Sequence, residues 1–251
     1  MKILILIIYS ENDKNFSEVY TKMVNIHRAY INNFEDVSTY FIQMKELQKE
    51  NIEINDDFIY VNGKEDLLNI MHKTIESIDY LINVLGCKYD YILRTNISTI
   101  VNIPKLKDYC DKLPKKNLYT GGSILNLNWL DHKSGVIDDS LFGTDYAQGT
   151  CILISRDIVE HMIKNKKNIK YDIVDDISFG VYIKKFLPEA LENLHKCKIT
   201  NYEEVTKIYT IEKTIDKNII IFRNRIHCWE NLYDRYADVY NMQKMKDAIY
   251  K

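Results

Sequence analysis

Hydrophobic positions along the chain follow two periods that alternate from the N-terminus onward. Residues 2–8, Lys2 followed by six Ile and Leu, show no polar alternation, which fits a central strand covered on both faces. A polar turn follows at 9–13. Phe16, Val19, Met23, Ile26 and Tyr30 then recur at helical spacing, with Asn15 as N-cap and Glu18 three residues on. Residues 38–42 and 58–61 predict two more strands, and Asn62-Gly63 delivers the chain into a long helix with Leu68, Met71, Ile75, Ile78, Ile82 and Leu85 on one face. A short strand at 89–93 runs into 94–98 and then 99–101, and Pro104 opens the next helix because a first helical position needs no N–H. Strands are predicted at 118–120, 149–154 and 219–222. Ser155 caps a helix carrying Val159, Met162 and Ile163, and Asp175-Asp176 opens another. Leu232, Tyr236, Val239, Met242 and Ile249 share one face of a C-terminal helix.

This order predicts an α/β protein, an α/β/α sandwich with a mainly parallel central sheet, built as a single domain over 1–251 with no repeat or linker. In such sheets ligands sit beyond the C-terminal ends of the strands. Chemistry is therefore expected at 9–12, 94–98, Gly121-Gly122 and 175–176. The polar, irregular stretch 126–145 is long for a connection in a compact domain and is a candidate substrate-facing loop.

Composition narrows the function classes. Lys and Arg total 34 against 36 Asp and Glu, a net charge of −2. The whole-molecule attraction of a nucleic-acid or acidic-membrane binder is thus missing, and no nucleic-acid partner is expected. Five Cys stand without metal or redox spacing and in odd number, which suggests reduced thiols rather than a disulfide framework. The apolar run at 2–8 is too short for a membrane span and lacks a cleavage site behind it, so the expected location is cytoplasmic. Neither Gly-x-Gly-x-x-Gly, nor a P-loop, nor a Gly-x-Ser-x-Gly elbow occurs. His27, His132, His161 and His195 have no spacing that calls for metal or acid–base work and are read as structural.

The segment YDYILRTNISTIVNIPKL at 89–106 resembles the region around the Asp-x-Asp motif of GT-A glycosyltransferases, especially the inverting β-1,3-galactosyltransferase and fringe group. NIMHKTIESIDYL at 69–81, DYAQGTCILISRDIVEHMI at 145–163 and DDISFGVYIKK at 175–185 are similar to three further segments of that group, in the same order. Together they cover roughly 58–185, a motif-in-context match. The resemblance implies a GT-A-like, Rossmann-like fold. Residues 1–125 would mainly bind nucleotide, and 126–251 would mainly bind acceptor and carry catalysis. It implies an inverting hexosyl- or deoxyhexosyltransferase that moves a sugar from a nucleotide-sugar donor, UDP-linked by expectation, to a hydroxyl of a glycan or small-molecule acceptor.

One departure changes the expected chemistry. Where the group has an Asp triplet that holds manganese or magnesium on the diphosphate, this chain has Asn96, Ile97 and Ser98. An amide and a hydroxyl lack the charge that offsets dehydration of a hard cation. No metal ligand and no certain cofactor are therefore assigned, and manganese or magnesium is disfavoured. Asn96 can instead bond a ribose hydroxyl and Ser98 a phosphate oxygen. Charge on the departing diphosphate falls to Arg94, Lys73, Arg223, Arg225 and His227, the last three in FRNRIHCW at 222–229. The alternative for Arg223 and Arg225 is that they alternate off a strand edge into solvent. Tyr9, Ser10 and Glu11 are the candidates for holding base and ribose.

The resemblance places the catalytic base at Asp176, with Asp175 as cap or orienting group and Gly149 on the acceptor side. Acidic residues at a helix start are also favoured by the helix dipole alone. A second reading is a non-catalytic sugar-nucleotide or glycan binder of the same fold, and a homo-oligomer is left open. A third is an unrelated α/β enzyme acting on a phosphorylated metabolite.

Overall fold

The structure, a computed structural model, describes residues 1–10, 17–210, 214–226 and 235–251. Its strands are β1 (Ile3–Ile8), β2 (Val37–Lys45), β3 (Ile52–Asn55), β4 (Phe58–Asn62), β5 (Tyr91–Asn96), β6 (Thr99–Val101), β7 (Tyr119–Gly121), β8 (Ile124–Asn126), β9 (Asp145–Ala147), β10 (Cys151–Ser155), β11 (Tyr202–Val205) and β12 (Ile221–Asn224). The helices are α1 (Ser17–Ile31), α2 (Ile70–Asp79), α3 (Ile103–Cys110), α4 (Arg156–Lys164), α5 (Asp175–Phe186), α6 (Leu191–Lys196) and α7 (Arg235–Ile249).

Seven strands form the main sheet in the order β3-β4-β2-β1-β5-β10-β7. β1 pairs in parallel with both β2 and β5, whereas β10 runs antiparallel to β5 and β7, and β3 antiparallel to β4. The uninterrupted apolar run of β1 is explained by its place at the centre. Ile3, Ile5 and Ile7 enter the core layer with Val19 and Met23 of α1, Leu106 of α3 and Met242 of α7. Leu4, Leu6 and Ile8 enter the opposite layer with Met71 and Ile75 of α2, Ile158 of α4 and Phe179 of α5. The expected α/β/α sandwich with a mainly parallel sheet is thus present.

Several local expectations need correction. β3 was not anticipated; it adds antiparallel to β4 at the sheet edge. The predicted long helix is α2 followed by a π-helical turn at Tyr80–Val84, and Leu85 beyond it is exposed. Ser155 sits at the α4 N-cap, but its hydroxyl donates to Asp157 and accepts from the Leu118 N–H, so it makes no cap bond. The 126–145 stretch is less irregular than expected: β8 and β9 pair antiparallel at its base, and Asp131 bridges Val136 further out. Gly121 and Gly122 prove to be packing positions. A Cβ on Gly121 would lie 2.2 Å from the Cys151 carbonyl oxygen, and one on Gly122 would lie 2.2 Å from the Tyr202 ring. The proposed cap Asn15, with Phe16 and Leu232, lies outside the described residues.

At Ile97-Ser98 the chain leaves the main sheet and enters a second one, of order β11-β12-β6. That junction fixes where a cleft can open.

Candidate active site

A two-lobed cleft lies at the C-terminal ends of β1 and β5, between the two sheets. One lobe, of about 410 Å³, is lined by Ser10 after β1, Tyr20 of α1, Asn96, Ser98, Arg223, Arg225 and Arg235. The other, of about 370 Å³, is lined by Arg94, Gly149, Asp175, Asp176, Trp129, Tyr146 and Gln148. Asn96, Arg223, Leu67 and Ile70 belong to both, so the lobes are continuous.

Arg94 organises the second lobe. Its side chain is buried in β5, with Nη2 2.7 Å from Asp175 Oδ2 and Nη1 donating to Asn96 Oδ1 at 2.9 Å. Burial drives the Asp175 carboxyl upward, and the guanidinium opposes that rise. Gly149 makes room for the pair, because a Cβ there would lie 3.0 Å from Arg94 Nη1. The same glycine donates its N–H to Asp176 Oδ2 at 3.1 Å, while Oδ1 accepts from the Ile177 N–H at 2.9 Å. Burial first, and the Asp175 charge second, push the Asp176 carboxyl up to about 6. A carboxylate in a cleft that titrates near neutrality is suited to taking a proton from a hydroxyl. Helix α5 begins after Val174, which makes no side-chain cap bond, and Asp175 in its first turn pairs with Arg94.

Lys73 does not reach the cleft. It is fully buried on α2 and its Nζ donates to the Tyr9 carbonyl at 3.0 Å, Ser10 Oγ at 3.2 Å and Glu65 Oε1 at 2.7 Å. Burial lowers the ammonium to about 8, with Glu65 pulling the other way. Lys73 therefore acts on the site by holding Ser10. The Tyr9 ring turns into the core against Tyr20 and Phe58, and Tyr20 is the aromatic side chain that lines the lobe.

Arg223 and Arg225 do not stand on a sheet edge. β12 is the middle strand of its sheet, and both side chains are half-buried against the first lobe. Arg223 lies close to Tyr202 and opposes the upward push of burial on that hydroxyl. Ser98 is fixed through its carbonyl, which accepts from the Asn224 N–H at 3.0 Å and Asn224 Nδ2 at 3.1 Å. Glu11 and His227 lie outside the described residues.

The donors at 96–98 do not fit manganese or magnesium. The Asn96 oxygen is already engaged by Arg94, Ile97 is apolar and buried, and Ser98 offers a neutral hydroxyl. Asp175, the buried carboxylate that shares Arg94 with Asn96, is paired with that guanidinium. Among the described residues no group of three His, Cys, Asp or Glu is placed to hold a metal ion.

The family profile described as Galactosyltransferase matches residues 41–187, more than half of the chain. The chain belongs to the galactosyltransferase family. As a member it is a glycosyltransferase of GT-A-like α/β fold, working between a donor and an acceptor. Comparison with curated proteins gave no match. The galactosyltransferase match takes in Arg94, Asn96, Gly149, Asp175 and Asp176, and leaves outside it Ser10, Tyr20, Arg223, Arg225 and Arg235, which line the other lobe. Among the described residues no helix is long and apolar enough to cross a membrane.

Tyr20, Arg235, Trp129 and Tyr146 escaped the sequence reading. Trp129 carried a usable signal, one of only two Trp in the chain and set in the candidate substrate-facing loop; Tyr20 and Arg235 are brought to the cleft only by the docking of α1 and α7.

Proposed function

We propose that the protein is an inverting glycosyltransferase that moves a sugar from a nucleotide-sugar donor, UDP-linked, to a hydroxyl of a glycan or other acceptor without a tightly bound metal. Asp176 takes the proton of the acceptor hydroxyl as that oxygen attacks the anomeric carbon from the face opposite the diphosphate. The bond between anomeric carbon and diphosphate oxygen breaks, and its electron pair leaves with the diphosphate. Arg223 supplies positive charge where that negative charge develops, and Arg225 and Arg235, paired with Glu204 and Asp238, line the same lobe. The observation that carries the reading is the continuity of the lobes: a carboxylate titrating near 6 opens onto the same cleft as the arginines and shares Asn96 and Arg223 with them.

The test is turnover of a panel of nucleotide sugars, with and without EDTA, by the wild type and Asp176→Asn. The expected result is transfer that EDTA leaves intact and that falls by about 10²-fold or more in the variant. Full transfer by Asp176→Asn would remove the base assignment, and abolition by EDTA would remove the metal-free reading. The absent carboxylates at 96 and 98 favour a second reading, a sugar-nucleotide or glycan binder without catalysis. Calorimetric donor binding with no hydrolysis or transfer to any acceptor would select it.

A further inference from the structure

Arg94 and Asn96 stand two residues apart at the end of β5, so their side chains leave the same face of the strand. Arg94 is fixed independently of Asn96. It is 3% exposed, its Nη2 pairs with Asp175, and the backbone of Gly149 packs so near its Nη1 that a Cβ there would come within 3.0 Å. A guanidinium carries N–H donors and no acceptor, so the Asn96 atom that meets Nη1 at 2.9 Å is the carboxamide oxygen on chemical grounds. The direction of the amide follows. Its NH2 group lies on the other side, and among the described residues no acceptor meets it.

Asn96 lines both lobes, so that NH2 group stands at their junction. The charged groups around the two lobes are Arg94, Arg223, Arg225, Arg235, Asp175 and Asp176. Three of the arginines are in ion pairs: Arg94 with Asp175, Arg225 with Glu204 and Arg235 with Asp238. Arg223 is different. It lines both lobes as Asn96 does, and its Nη1 is buried with no hydrogen-bond partner. A neutral amide donor and a cationic donor therefore share one wall, and that combination suits an anionic oxygen, to which N–H groups bond most strongly.

We propose that Asn96 is a diphosphate contact, its amide N–H groups donating to a phosphate oxygen of the nucleotide, and that Arg94 is the positioning residue that fixes their direction. Position 96 then works with a polarity opposite to that of a metal-holding carboxylate: it donates where a carboxylate would accept. The proposal rests on the nucleotide-sugar reading for its ligand, and inorganic pyrophosphate separates the two.

Calorimetry in EDTA would measure uridine, UMP, UDP and pyrophosphate on the full chain. Asn96→Ala should weaken UDP and pyrophosphate by ten-fold or more and leave uridine unchanged. A loss shared by UMP assigns the contact to the α-phosphate, and a loss confined to UDP and pyrophosphate assigns it to the β-phosphate. Asn96→Asp still offers Arg94 an oxygen but turns a charged acceptor towards the ligand, so it should bind UDP more weakly than Asn96→Ala. Arg94→Lys keeps a cation beside Asp175 and loses the fork that spans both partners. It should weaken UDP binding when Asn96 is present and add nothing in Asn96→Ala, a non-additivity that a general loss of packing would not produce. Melting temperatures confirm that each variant is folded, and the Asn96 variants decide the contact alone if Arg94→Lys is not.

Unchanged UDP affinity in Asn96→Ala, an equal loss for uridine, Asn96→Asp binding as tightly as wild type, or no binding of UDP or pyrophosphate by the wild type would each overturn the contact. Additive effects would overturn the role of Arg94. Pyrophosphate binding that depends on Asn96, with no preference for any nucleotide, would keep the contact and remove the transferase reading. Sugar transfer from UDP-linked donors that is indifferent to Asn96 would do the reverse.

Discussion

Gly149 joins two functions that its own side chain could not share. Its N–H holds Asp176 and its missing Cβ seats the Arg94 guanidinium. In Gly149→Ala the new methyl meets a guanidinium fixed at two ends, by Asn96 and Asp175, which cannot swing aside without breaking one of them. A stability loss of about 1–3 kcal/mol is expected, with a drop in kcat from displacement of Asp176; urea melts and steady-state kinetics read the two separately. The pH profile tests the base itself. A proton acceptor works only when ionised, so kcat/KM should fall as pH drops through about 6. Asp175→Asn keeps an oxygen acceptor for Arg94 but removes the like charge beside Asp176, and it should move that acidic limb to lower pH. A limb that stays in place would show that Asp175 does not tune the base.

At the scale of elements, what could be read from the chain was whatever is encoded locally. β1 announced itself because a strand covered on both faces must be apolar at every position, and α5 because two acids open it beside a family motif. Two elements converge on the turn between β5 and β6 and a third on the end of β6, and none of this was legible. His27 of α1 reaches the Ile97 carbonyl at 2.9 Å, Asn224 of β12 holds the Ser98 carbonyl, and Tyr250 after α7 donates to the Val101 carbonyl and accepts from the Ile103 N–H at 2.9 Å. A carbonyl only accepts, so Nε2 of His27 carries the proton and Nδ1 accepts from the Tyr30 hydroxyl at 3.0 Å. These contacts join residues 70 or more positions apart, and no periodicity or motif records them. Lys73 shows the same limit: the sequence pointed it at the diphosphate, and only the fold reveals that it is buried with Glu65 beside it. Tyr250→Phe keeps the stacking on Tyr30, with centroids 4.4 Å apart, but loses both hydrogen bonds. It should cost about 1–3 kcal/mol by leaving a partly buried carbonyl and N–H unpaired, measured by chemical denaturation, and an unchanged stability would show that the α7 end does not brace the junction of β6 and α3.

For the whole molecule, one buried and one half-buried group give acid stability opposite slopes over nearly the same pH range. Burial lowers His27 to about 4. Between that value and its ordinary 6.5 the unfolded chain binds the extra proton, so His27 makes the fold less stable as pH falls, by about 3 kcal/mol across the window. Asp176 is raised from 3.8 to about 6, so here the folded protein binds the extra proton. Its contribution is lost as pH rises through that window and regained on acidification, by roughly 1–3 kcal/mol for a half-buried group. From these two groups the wild type should show a nearly level stability between about pH 4 and 6. Removing either one exposes the other. Asp176→Asn should be more stable than wild type at pH 7, because the cost of a buried charge is gone, and should then lose stability steeply as pH falls below 6.5. His27→Gln, whose amide can still donate to the Ile97 carbonyl, should instead gain stability from pH 6 towards 4. Urea melts of the three proteins at pH 7, 5.5 and 4.5 measure this directly. If Asp176→Asn is no more stable at pH 7 and its pH slope matches wild type, Asp176 does not carry the raised ionisation that places it as the base.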